Sequence, residues 1–157
     1  MKTFVFVLTA LCFALSGHAQ VASTYELNLD GAQQIMDQAV KWAEANKVPA
    51  GAIAVTDAGG NLLLLVRMDH TFPKAAEVAH GKARTAALFQ FPSQKLEDAV
   101  NGGRYTLLST NEVVLKGGLP IQYKGKVIGA IGVSGTASAD QDVQVAQAGL
   151  EAAFLKM

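Results

Sequence analysis

Apolar residues at Ala32, Ile35, Met36, Ala39, Val40 and Ala43 recur at helical spacing and predict a helix over 31–46 with one buried face. Asp30 reads as its N-cap, with Gln33 three residues on as the capping-box partner, and Pro49 ends the element. The pattern then changes. Gly51 to Thr56 and Leu62 to Met68 read as two strands joined by the turn Asp57-Ala58-Gly59-Gly60-Asn61. The second strand is almost continuously apolar, the pattern of a strand covered on both faces. Residues 75–90 are rich in alanine, with Val78, Ala79, Ala83, Ala86 and Ala87, and predict a tightly packed helix. Pro92-Ser93 restarts the chain into a short helix through Leu96, Ala99 and Val100, which Gly102-Gly103 stops. Leu119 to Tyr123 and Lys126 to Val133 form a second hairpin around Lys124-Gly125. Ser138 and Gln141 make a capping box for a C-terminal helix whose buried face carries Val143, Ala146, Leu150, Ala153 and Phe154. Hairpins imply antiparallel pairing, so the order predicts an α+β fold with helices packed on a central antiparallel sheet.

One apolar run fits none of these elements. Phe4 to Leu15 is interrupted only by Thr9, is preceded by Lys2, and is followed by the small residues Gly17 and Ala19 flanking His18. A basic start, a short apolar middle and a small-residue exit are the pattern of a secretory signal peptide, here residues 1–19 with cleavage after Ala19. The run is about 12 residues, short of the roughly 20 that a membrane span needs. The expectation is therefore a periplasmic or secreted protein whose working part is a single domain over 20–157, with no membrane association after cleavage. Export would remove Cys12, the chain's one cysteine, and with it any thiolate chemistry. It would also remove Lys2, taking the basic count from 13 to 12 against 13 acidic residues, a near-neutral balance that gives no support for a nucleic-acid partner.

Few residues are then left to carry chemistry. Glu77 and His80 stand three apart on a predicted helix, so they share a face, and a carboxylate beside an imidazole can bind a divalent metal ion. His80, and after it His70, can also serve as an axial ligand to haem iron, as in principle can Met68, Tyr105 and Tyr123. Lys82, Arg84, Arg67 and Arg104 can meet the carboxylates of a small anionic ligand. Lys82 reads as ordinary helix-surface charge, whereas Arg84, among Ala83, Thr85, Ala86 and Ala87, reads as partly buried. The stretch Gly129-Ala130-Ile131-Gly132-Val133-Ser134-Gly135 ends a strand and precedes a helix. Glycines such as Gly132 and Gly135 let either a ligand or another backbone approach closely. Nucleophile-elbow, metalloprotease and phosphate-loop patterns are not found, and no catalytic residue is assigned.

Five collinear pieces carry a family resemblance. They are Val55-Thr56-Asp57-Ala58-Gly59-Gly60-Asn61-Leu62; Arg67-Met68-Asp69; Lys82-Ala83-Arg84-Thr85-Ala86; Gly117-Gly118-Leu119-Pro120-Ile121; and Gly129 to Gly135 with Gln141-Asp142 and Ala146-Gln147-Ala148-Gly149. On these the chain resembles the GlcG/HbpS family, the haem-degrading or DUF336 domain, which includes the C-terminal domain of PduO-type proteins. The resemblance implies a profilin-like sandwich around a five-stranded antiparallel sheet and assembly into a homo-oligomer, a dimer or a larger ring. It implies haem as ligand for an exported member but fixes no iron ligand; imidazole chemistry makes His80 the first candidate at the iron and His70 the second, with arginine or lysine near the propionates. It also leaves open an enzyme, or an accessory to one, acting on a small hydroxy acid or a corrinoid. His80-Gly81 departs from the family, many of whose members lack histidine there.

Overall fold

The computed structural model describes residues 24–156. The expected signal peptide, residues 1–19, lies outside the described residues. Helix α1 runs Leu29–Ala45, and Ala32, Ile35, Met36, Ala39 and Ala43 form its buried stripe. Its cap is Asn28, not Asp30. Asn28 Oδ1 accepts the Gly31 N–H at 2.9 Å, which places Asp30 inside the first turn, where its charge complements the positive end of the helix dipole.

Strands β1 (Ala52–Asp57) and β2 (Leu62–Arg67) form the first hairpin, and β3 (Gly118–Tyr123) and β4 (Lys126–Ser134) the second. They join in one antiparallel sheet in the order β2-β1-β4-β3. The four strands are those the apolar pattern predicts, and the described residues contain no fifth. The resemblance implies five strands, but the stretch between the hairpins folds, as the periodicity predicts, into helices α2 (Lys74–Phe89) and α3 (Gln94–Asn101), followed by a 3₁₀ turn, Tyr105–Thr110. Helix α4 spans Ala139–Gly149 and begins with the expected box. Ser138 Oγ accepts the Gln141 N–H at 3.1 Å, and Gln141 Oε1 accepts the Ala137 N–H at 3.0 Å. It stops short of Ala153, which opens a separate 3₁₀ turn, Ala153–Lys156.

Successive strand side chains point to opposite faces, so the sheet has two unlike sides. Ile53 and Val55 of β1, with Leu119, Ile121, Ile131 and Val133, face α1 and α4 in a core of large aliphatics. Ala52, Ala54 and Ala130 face α2, which answers with Ala75, Ala79, Ala83, Ala86 and Ala87. With only methyl groups between them, helix and sheet approach closely.

The expectation that β2 is covered on both faces is not met within one chain. The strand lies at the sheet edge, and Leu62 and Leu65 are 44% and 41% exposed. No helix among the described residues is long and apolar enough to cross a membrane.

Candidate ligand cleft on helix α2

Two glycines shape the outer side of α2. Gly60, in the β1–β2 turn, has φ +77, and a side chain there would lie 2.8 Å from Arg84 Cγ, so only glycine lets the turn close on the helix. Gly81 does the same for the segment that follows the 3₁₀ turn, since a Cβ on it would lie 2.3 Å from Val113 Cγ2. The buried Thr85 hydroxyl fixes that approach, lying 2.9 Å from both the Gly81 and the Val113 carbonyl oxygens. Its single proton serves one of them at a time.

Between these contacts lies a cleft of ≈ 360 Å³ lined by Lys74, Glu77, His80, Arg84, Glu112 and Val113, among others. His80 is half-buried, and its Nε2 lies 3.3 Å from the Gly60 carbonyl oxygen. A carbonyl only accepts, so this contact favours the tautomer that carries hydrogen on Nε2 and a free lone pair on Nδ1. Arg84 is exposed, against expectation, and donates from Nε to Glu112 Oε1 at 3.2 Å. Its remaining guanidinium N–H groups are not engaged by Glu112 and can meet a carboxylate. Glu77 pairs with Lys74 across one helical turn at 2.5 Å, with both side chains largely exposed.

The other residues singled out from the sequence lie elsewhere. Lys82 is a correction. It is buried, not on the surface, and donates from Nζ to Asp142 Oδ2 at 2.8 Å and to the Val133 carbonyl at 2.9 Å. A lysine consumed by a buried pair is not available to a ligand. Gly132 is a second correction. A Cβ there would lie 2.2 Å from the Ala79 carbonyl oxygen and 2.4 Å from Ala83 N, so its missing side chain admits the helix backbone and leaves no room for a cofactor. Gly135 is likewise packed, against Ala75 and Phe72. His70 and Arg67 are exposed at the open end of the β1–β2 hairpin, whereas His80 touches its closed end. The two histidines are thus about a strand length apart and do not share a site. Arg104 precedes and Tyr105 opens the 3₁₀ turn, both exposed, Met68 is half-buried near Gly51, and Tyr123 packs edge-on against Tyr25.

The expected metal site gains no support. Among the described residues no three histidines, cysteines or carboxylates converge, and Glu77 with His80 supplies only two ligands. Glu112 and Gly60 escaped the sequence reading. Glu112 stands in a loop without periodicity, and Gly60 reads there only as a turn residue. A larger groove of ≈ 580 Å³, between α1 and α4 beside Trp42, contains none of the residues to which the sequence assigns ligand chemistry, so the α2 cleft is the candidate site.

Residues 27–151 match the family model for HbpS-like haem degrading proteins. The chain is 47% identical to Protein GlcG of Escherichia coli over 84 residues, 53% of this chain and 63% of GlcG. It is 29% identical to the corrinoid adenosyltransferase PduO of Salmonella typhimurium over 140 residues, 86% of this chain but 41% of PduO. Among solved structures it is similar to ORFY of Klebsiella pneumoniae, with TM-score 0.79 and 33% identity over 86% of this chain and 95% of that one. It is also similar to PduOC in complex with haem, with TM-score 0.74 and 28% identity over 82% and 95% of the two chains.

Proposed function

Because the chain belongs to the HbpS-like family of haem degrading proteins, we propose that it is an exported haem-binding protein that handles or senses haem or iron outside the cytoplasm. The observation that supports this reading is the pairing of His80 and Arg84 in one cleft. An imidazole is a common haem-iron ligand, and a guanidinium binds carboxylates such as the haem propionates. His80 would hold the iron, either through Nδ1 or by giving up the long Gly60 contact, and Arg84 would meet a propionate. Bound haem would supply the redox and iron chemistry; the chain's part is to bind it and orient it. Similarity to a protein solved as a haem complex supports the same reading. The protein is further read as a homo-oligomer.

The test is a haemin titration of the purified protein followed in the visible spectrum. A saturable Soret shift is expected, and a titration with no shift overturns the reading. His80→Ala is expected to move the Soret band and weaken binding about tenfold or more, roughly 1.4 kcal/mol or above. His70→Ala is expected to leave both unchanged. If His80→Ala behaves as wild type in a protein that still binds haem, the ligand assignment is wrong.

A second reading, an enzyme or accessory protein acting on a small hydroxy acid or a corrinoid, is favoured by the likeness to PduO and by the exposed Arg84. Thermal-shift measurements against hydroxy acids and cobalamins separate it from the first. Stabilisation by one of these, without response to haemin, would favour it.

A further inference from the structure

Arg84 is held at both ends of its side chain. Its stem lies against the β1–β2 turn, where a Cβ on Gly60 would come within 2.8 Å of Arg84 Cγ. Its head is held by Glu112, whose Oε1 accepts from Nε at 3.2 Å. The same turn meets His80, one helical turn back on the same face, through the Gly60 carbonyl. One piece of backbone and one carboxylate therefore place both the imidazole and the guanidinium.

Glu112 is itself fixed. It follows Asn111, whose φ of 59 turns the chain out of the 3₁₀ turn. It precedes Val113, whose carbonyl lies 2.9 Å from the buried Thr85 hydroxyl and whose Cγ2 takes the space that a Cβ on Gly81 would need. The Glu112 side chain is only 13% exposed, against 44% for Arg84. The carboxylate is thus the better-packed partner, and the contact steadies the long, half-open guanidinium arm.

Charge alone gives Glu112 no use in such a cleft. Lys74 pairs with Glu77 and Arg84 with Glu112, so with His80 neutral the lining carries no net charge. A carboxylate beside Arg84 repels an acidic ligand. What Glu112 supplies is direction. With Nε taken, the Nη groups at the end of the guanidinium stay available, and their parallel N–H bonds match the two oxygens of a carboxylate. An arm already held in that attitude loses less freedom when the ligand arrives.

We propose that Glu112 is a positioning residue for ligand binding, holding Arg84 by Nε so that its Nη edge is presented in advance to a carboxylate of the ligand. This role rests on the haem reading above and adds the residue that prepares the propionate contact.

The experiment repeats the haemin titration on two variants that separate reach from charge, with circular dichroism confirming the fold. Glu112→Asp keeps the charge and shortens the side chain by a methylene, so that it falls short of Nε. Glu112→Gln removes the charge and keeps an acceptor oxygen in place. Fixing one long side chain beforehand is worth about two- to tenfold in affinity, so Glu112→Asp is expected to raise the haemin dissociation constant by that factor and Glu112→Gln by less than about twofold. Haemin dimethyl ester, which has no free carboxylate, is expected to bind both variants as it binds wild type. In an Arg84→Ala background Glu112→Asp is expected to change nothing further, because the two residues act as one unit. Unchanged or tighter haemin binding by Glu112→Asp overturns the role, as does a larger loss in Glu112→Gln than in Glu112→Asp. An equal loss for haemin and its ester also overturns it, since mere loosening of residues 111–113 would give that result. In each of these cases the wild type still binds haemin and the haem reading stands. A wild type that does not respond to haemin overturns the haem reading and this role with it.

Discussion

Lys82 and Asp142 are the residues on which three elements converge. The lysine leaves α2, passes beside β4, and ends on the first turn of α4, with side chains only 4% and 6% exposed. Both Asp142 oxygens are engaged. One oxygen takes Lys82, and the other takes the Thr136 hydroxyl at 2.8 Å and the Thr136 N–H at 3.2 Å. Removing two charges from water is costly, and their attraction offsets that cost only while both are present. Lys82→Ala leaves a buried carboxylate without its cation and is expected to cost about 3–5 kcal/mol of stability. Lys82→Met combined with Asp142→Leu, which removes both charges and keeps the volume, is expected to recover most of it. Urea unfolding followed by Trp42 fluorescence measures both. A cost within about 0.5 kcal/mol for Lys82→Ala, the range of an ordinary surface change, would show the pair to be unimportant. The sequence could not reveal this pair. The partners lie 60 positions apart, and a lysine between Gly81 and Ala83 has the same local pattern whether its long stem turns outward or inward.

At the scale of elements, the β1–β2 turn joins the sheet to the cleft, because Gly60 in that turn offers its carbonyl to His80. Asp57 holds the turn together. Burial pushes its carboxyl up. The hydrogen bonds from the Asn61 side chain and from the backbone N–H groups of Asn61, Gly59 and Gly60 outweigh this and hold it below the ordinary value of 3.8. A carboxyl whose pKa is lower folded than unfolded adds stability above the unfolded value, and that stability is lost as pH falls through the folded one. Asp57→Asn removes the titration. Wild type is therefore expected to exceed the variant in stability at neutral pH, with the gap closing as pH drops below about 4. Thermal unfolding of both proteins between pH 7 and pH 2 checks this; a gap that does not change with pH would remove Asp57 as its source. Elements of this kind were legible in the chain. Both hairpins, α1, α2 and the Ser138 box follow from periodicity and turn chemistry, which are local. The pattern puts the α1 cap two residues late because Asn28 and Asp30 are both good caps, and only the observed bond to Gly31 separates them. The cleft was half legible. His80 and Arg84 share a helix face by spacing alone, but Glu112 reaches them only through the fold.

The whole molecule is a sheet with a thick side and a thin side. Isoleucines, valines and Met36 hold α1 and α4 away from it, while on the other side α2 lies against it with alanine facing alanine and glycine. That thin side is what a composition of small residues along one helix and one strand requires, and it explains why the glycine-rich strand end, which the sequence left open between ligand and backbone, resolves to backbone. It also sets the cleft, since the depth at which α2 is seated determines where His80 stands relative to Gly60. Gly132→Ala tests this arrangement. The new methyl would lie 2.2 Å from the Ala79 carbonyl oxygen and 2.4 Å from Ala83 N, main-chain atoms that cannot rotate aside, so α2 has to lift. Overpacking of this kind costs about 1–3 kcal/mol, and the upper end is expected here because the obstacle is helix backbone, with no side chain free to move. A lifted α2 also stretches the His80–Gly60 contact, so haemin affinity is expected to fall together with stability. Loss of stability with unchanged affinity would mean that the cleft does not depend on how closely α2 is seated, whereas loss of both places the glycine strand and the cleft in one mechanical unit.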